Sequence, residues 1–186
     1  MNAESKQNPL SGLIGVWEGD KGTDLAPKPE EDETNPYYET LVIEEVDMEI
    51  SNAEEQELLA VRYHQTVHEK ETGEMSHSET GYWIWDTQTD TIMCSFSIPR
   101  GVSVLSGGTF EKNENGEVLF RVSSHADDPE WSFVQSPFMK KKAKTLAFKR
   151  ELKLSGNTLS YEQETTVDIY GKIFAHRDTN TLNKTA

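Results

Sequence analysis

Apolar and polar residues alternate with a period of two along most of this chain, the pattern of strands that bury one face and wet the other. "MSHSETGYWIWD" (75–86), "TIMCSFSI" (91–98) and "VSVLSGGTFEK" (102–112) show it plainly, with the β-branched and aromatic residues that strands favour. Further runs are "VWEGDK", "YYETLVIEEVDMEI", "ELLAVRYHQTVHEK", "EVLFRVSSHA", "TLAFKRELKLS" and the long "TLSYEQETTVDIYGKIFAHR". Turn pairs fall between them: Thr72-Gly73, Thr89-Asp90, Asn115-Gly116 and Gly156-Asn157. There is no long helical period and no internal repeat.

Nine or ten strands joined mostly by hairpins make a meander, and closing a meander into a barrel removes its exposed edges. The expectation is an all-β, antiparallel up-and-down β-barrel of about ten strands, with a sandwich as the second architecture. "PLSGLIG" is the best short helical turn and fits as a plug for one barrel end. Residues 10–184 are expected to form a single barrel domain after a disordered tail, residues 1–9. An apolar content of 34% suits strands that face water on one side. Two segments break the meander. "GTDLAPKPEEDETNP" (22–36), with its prolines and acids, reads as an exposed loop rather than a strand, or as a flap over the mouth. "QSPFMKKKAKTL" gathers Lys140, Lys141, Lys142 and Lys144, either a solvated face or a basic patch for an anionic group.

Charge and cysteine usage exclude more than they identify. A formal net charge of -15 argues against nucleic acid and anionic membranes as partners. Cys94 is the only cysteine, so an intrachain disulfide and cysteine-cluster metal sites are ruled out. "MNAESKQNPL" lacks the marks of a signal peptide and no apolar run approaches the ~20 residues of a membrane span, so a cytoplasmic protein is expected.

Phosphate loops, nucleophile elbows and zinc-protease motifs are all missing. His64, His68 and His77 form the most suggestive constellation. If Thr72 and Gly73 are the two central residues of a hairpin turn, His68 faces His77 and Thr66 faces Glu79. Two histidines with a carboxylate one step along the same face suit a divalent metal. The plainer reading, a polar cluster at an exposed hairpin end, is the one the pattern favours. Trp17, Tyr82, Trp83, Trp85, Phe96, Trp131 and Phe174 are candidates to line a lumen, and Cys94 reads as a buried small hydrophobe.

Several stretches, in order, resemble the nitrobindin family of haem-binding β-barrels, related in shape to the lipocalins and fatty-acid-binding proteins. "GVWEGDKG" is similar to its Gly-x-Trp-x-Gly signature through Gly15, Trp17 and Gly19, with Lys21 where a further glycine stands in the family. "NPYYETLVIEE" resembles its second strand, and "SHSETGYW" a later one through His77, Glu79, Gly81 and Tyr82. "IPRGVSVLSGG" resembles the segment that follows, with Arg100 where threonine is commoner. "FAHRDTNTL" falls where the family carries its axial histidine, which makes His176 the matched iron ligand. The resemblance implies a haem b held through His176, with nitric oxide binding or peroxynitrite isomerisation at the open iron face, in a monomer or homodimer. The alternative for His176 is a hydrogen bond to Asp178 or a backbone carbonyl near the mouth. A second function remains open: a haem-free carrier of a fatty acid or other small hydrophobic anion, its carboxylate paired with Arg62, Arg100 or Arg121. A third is a scaffold with a filled lumen.

Overall fold

The computed structural model describes residues 7–47, 50–52 and 55–186. A 3-10 turn (Ser11–Leu13) leads into β1 (Gly15–Ala26), β2 (Glu33–Glu45) and the short β3 (Ile50–Asn52). Then come β4 (Gln56–Glu69), β5 (Met75–Asp86), β6 (Thr91–Ile98), β7 (Val102–Lys112) and β8 (Val118–His125). After the short β9 (Phe133–Gln135) and a single helical turn, α1 (Pro137–Lys142), the chain ends in β10 (Ala143–Ser155), β11 (Thr158–Ile169) and β12 (Lys172–Lys184). Leaving aside β3 on β4 and β9 on β7, ten antiparallel strands pair in sequence order, and β1 joins β12 to close the ring. The expected ten-stranded barrel is therefore the observed one.

One end is plugged. Leu10 and Leu13 of the 3-10 turn are fully buried, and the Trp17 indole N–H donates to the Leu13 carbonyl at 2.7 Å. Trp85, Ile92, Phe120, Leu159 and Leu182 pack around them as the apolar core. Of the expected N-terminal tail, residues 1–6 lie outside the described residues. Residues 7–9 are tied down: the Asn8 side chain accepts from the Leu10 amide, and Pro9 is buried.

Three expectations are corrected. The segment 22–36 is mostly strand, because β1 and β2 continue as a paired hairpin through Gly22↔Tyr37 to Ala26↔Glu33 and leave only residues 27–32 as loop. Pro36 is accommodated within β2, opposite Thr23. The long run 158–177 contains a turn that its alternation hides, at Tyr170-Gly171, where both residues have positive φ (55° and 75°). That is the geometry of a two-residue hairpin, and β12 then runs on through the polar "RDTNTLNK".

The third correction concerns register. The β4–β5 hairpin closes from Glu69 to Glu74 around a four-residue loop, and a bulge follows between Val67 and His68. Val67 therefore faces His77 and Gln65 faces Glu79, one residue away from the expected pairing. A one-residue slip exchanges the two faces of a strand. It brings Val61 and Tyr63 to the same inner face as Trp83 and Trp85, and sends His68 outside, where it stacks on Tyr38 at 5.0 Å. The His68–His77 metal pair does not exist. Tyr82 is on the outer surface, and Trp131 covers Gly107 on the outer face of β7, so neither lines the lumen.

Of the lysine run, Lys140, Lys141 and Lys142 belong to α1 and Lys144 to β10. Ser136 caps the first turn of α1 by accepting from the Met139 amide, and Lys140, Lys141 and Lys142 occupy its exposed last turn, where cations are favoured. No helix among the described residues is long and apolar enough to cross a membrane.

Candidate functional site

Beyond the apolar plug layer polar side chains enter the interior beside apolar ones such as Phe96, Val104 and Phe148. Arg150 points into the barrel because Phe148, Leu152 and Leu154 share its parity on β10. Its guanidinium donates to both Glu79 oxygens (2.9 and 3.2 Å), to the Tyr63 hydroxyl (3.2 Å) and, through Nε, to Gln163 Oε1 (2.8 Å). It also lies between the Phe96 and Phe148 rings, at 5.0 and 5.2 Å. Tyr63 donates to Glu79 as well. Burial works against the Glu79 charge, but Arg150, His77 and Tyr63 outweigh it and hold that carboxyl down at about 2.

A second buried carboxyl behaves oppositely. Glu39 accepts from Gln65 (2.7 Å), Tyr161 (2.8 Å) and Asn180 (2.8 Å), with no ion pair among the described residues, and its burial outweighs these bonds and the field of Arg150 and pushes it above the usual carboxylate range. Tyr37 extends this cluster, its hydroxyl 2.8 Å from that of Tyr161. Cys94 is buried as expected, yet it touches Tyr63 and Arg150 rather than hydrocarbon alone, and burial raises its thiol to about 11. It is not a reactive thiol.

At the unplugged end stand Asp24 on β1 and His176 and Asp178 on β12. Asp24 and Asp178 are directly opposed across the strand pair, and His176 lies two residues along the same face. His176 Nε2 is 2.5 Å from Asp24 Oδ1 and 3.7 Å from Asp178 Oδ1. Burial lowers the histidine's proton affinity and nearby Arg100 repels its charge, but the two carboxylates prevail and hold the imidazole above its ordinary value. Asp178 is raised, chiefly by burial, and Gln163 donates to its Oδ2 at 3.2 Å. Gln163 thus links the mouth to Arg150.

Of the five histidines, only His77 and His176 face inward. His77 approaches Glu79 at 3.5 Å on the same strand. His64 bonds Thr80 on the outer face. Gly15 and Trp17 lie at the plugged end, roughly 30 and 23 Å along β1 from Asp24 at the usual strand rise. Trp17 is core there, and Gly19 lets the Thr181 carbonyl approach to 2.6 Å of where a Cβ would stand. These residues are not brought to His176. Arg62 and Arg121 sit on the outer face in ion pairs with Glu44 and with Glu111 and Glu151, so neither reaches a ligand in the lumen. The sequence reading missed Asp24, Arg150, Gln163 and Glu39. Arg150 and Glu39 were visible as charged residues at inward parity, whereas Asp24 depends on the β1–β12 register.

Together these features define a closed ten-stranded barrel with one plugged end and a histidine at the other. The sequence matches the THAP4-like, heme-binding beta-barrel domain over residues 6–184, and the chain belongs to that family. The crystal structure of Rv2717c from M. tuberculosis shares the fold, with a TM-score of 0.72 at 20% identity over 97% of this chain and 99% of that one. No curated protein matches the sequence.

A haem is the group this family implies, and the mouth as arranged does not fit one. The nitrogen that would take the iron is engaged by Asp24, and two carboxylates occupy the space in front of it. Beneath, Arg150 and Glu79 fill the lumen, and the void beside them is about 20 Å³, room for one water. A larger hollow of about 450 Å³ is an open groove on the outer wall, around Lys21, Glu151, Lys153 and Thr181. Of the residues at the mouth, His176 has the chemistry to hold a haem iron, and it is the two carboxylates beside it that do not suit one.

Proposed function

We propose that this chain is a small-ligand-binding barrel that takes its ligand at the mouth, with His176 as the coordinating residue. One observation carries the reading: in a barrel of a haem-binding family, His176 is one of two inward-facing histidines toward the unplugged end, and unlike His77 it stands directly between two mouth carboxylates, half-buried and within reach of solvent. A deep lumen ligand such as a fatty acid is not supported, because the interior is filled and its one buried arginine is already neutralised by Glu79. The reading keeps the protein in the cytoplasm as a monomer or homodimer.

The finer reading is a haem b with His176 as its axial ligand; the match to a heme-binding family supports haem in general, and nitric oxide binding or peroxynitrite isomerisation at the iron is what the nitrobindin resemblance adds. In this chain haem binding requires Asp24 to release Nε2 and Asp178 to turn aside. The two carboxylates therefore oppose haem, and His176 favours it. Titration with hemin, followed in the Soret band, tests this with three proteins. Weak binding by the wild type, tightened at least tenfold by Asp24→Ala/Asp178→Ala and lost in His176→Ala, is the expected result. Hemin binding that is the same in His176→Ala as in the wild type removes His176 from the role.

A further inference from the structure

We propose that Asp24, His176 and Asp178 bind a divalent transition-metal cation of the zinc or manganese type, taken directly from solution rather than within a porphyrin. The inference goes beyond the haem reading and does not depend on it. Its basis is the β1–β12 register, which sets Asp24 and Asp178 opposite each other and His176 on the same face. Like charges directly opposed across a strand pair destabilise a sheet. Here the pair stands half-buried, and among the described residues its ionic contact is His176, with no lysine or arginine on either carboxylate. A divalent cation between the two carboxylates removes that repulsion and uses the imidazole as a neutral third donor.

The geometry needs little adjustment. One ligand atom from each residue lies within 4.8 Å of the other two. Zinc holds nitrogen and oxygen donors at about 2.0–2.2 Å, so donor pairs around it are about 3–4 Å apart. The Nε2–Asp24 contact of 2.5 Å has to open, while the 3.7 Å from Nε2 to Asp178 already suits a shared ion. Gln163 already holds the other Asp178 oxygen, Oδ2, leaving Oδ1 toward the imidazole, as partners behind a metal's ligands do. One nitrogen and two oxygens suit zinc, manganese or ferrous iron, and leave positions open for water or a small ligand at the mouth. A net charge of -15 raises the local cation concentration further.

The test uses full-length protein stripped with EDTA and dialysed, then titrated calorimetrically with zinc chloride and with manganese chloride. One equivalent of zinc at micromolar or tighter affinity is expected, together with a rise in Tm. The isosteric Asp24→Asn/Asp178→Asn variant and His176→Ala should each weaken binding at least tenfold, while His68→Ala, whose ring is outside the barrel, should not. NMR of the wild type's histidine side chains needs no variant, and zinc should shift His176 first. Absence of binding heat, equal affinity in the Asn variant, or shifts confined to His64, His68 and His125 would each overturn the proposal. The haem reading fails separately, because removing the carboxylates is expected to lower zinc affinity and raise hemin affinity.

Discussion

Arg150 reaches the barrel axis because its neighbours of the same parity, Phe148 and Leu152, belong to the core. Once inside, it is tolerable only as half of a pair, and Glu79 completes it at 2.9 Å. Breaking such a pair from one side strands a buried charge, at a cost of about 3–5 kcal/mol, whereas replacing both partners with apolar groups is often nearly neutral. Arg150→Leu is therefore expected to lower the urea midpoint sharply, and Arg150→Leu/Glu79→Leu to recover most of the loss. A double variant no more stable than Arg150→Leu would show that Tyr63 and Gln163 depend on the guanidinium as much as Glu79 does. At this scale the sequence was partly readable. Parity with Phe148 and Leu152 was a signal for Arg150 that the sequence reading did not use, and it would not have said that Arg150 meets Glu79, since 71 residues separate them and the contact is made across the barrel.

Element boundaries depended on turns, and turns were where the reading went astray. Thr72-Gly73 looks like a two-residue hairpin, but Glu69 and Glu74 close the loop and a bulge follows at Val67. Loop length and bulge position together decide which residues share a face, and neither is encoded in the alternation itself. The strands β5, β6 and β7, bounded by clear turns, came out with the bounds that their alternation suggests. At Tyr170-Gly171 the opposite error occurred, because Tyr170 is a poor residue for its φ of 55°. Asparagine adopts that conformation at lower cost. Tyr170→Asn, at an exposed position, is expected to stabilise the protein by roughly 0.5–1 kcal/mol, the scale of such backbone relief. A thermal melt that shows no gain would indicate that the Tyr170 ring contributes packing of similar size.

The two carboxyls buried deepest among the described residues, Glu39 and Glu79, have opposite habits, and the stability of the whole barrel should record both as pH changes. Glu79 is held at about 2 in the fold against 4.5 for a free side chain. Its contribution is present above pH 4.5 and is lost as pH falls through 2, a swing on the order of a few kcal/mol. Glu39 is raised by burial, so its contribution is full below pH 4.5 and declines as pH rises through its folded value. The two signs make the groups separable in melts between pH 2.5 and 8. Glu79→Gln should flatten the acid limb and lower stability at neutral pH, because it leaves Arg150 buried without its counter-charge. Glu39→Gln should do the reverse, costing little at pH 4 and gaining on the wild type as pH rises toward 8. An acid limb unchanged in Glu79→Gln would mean that the surface carboxylates of this acidic chain, rather than the pair at its centre, set its tolerance of acid.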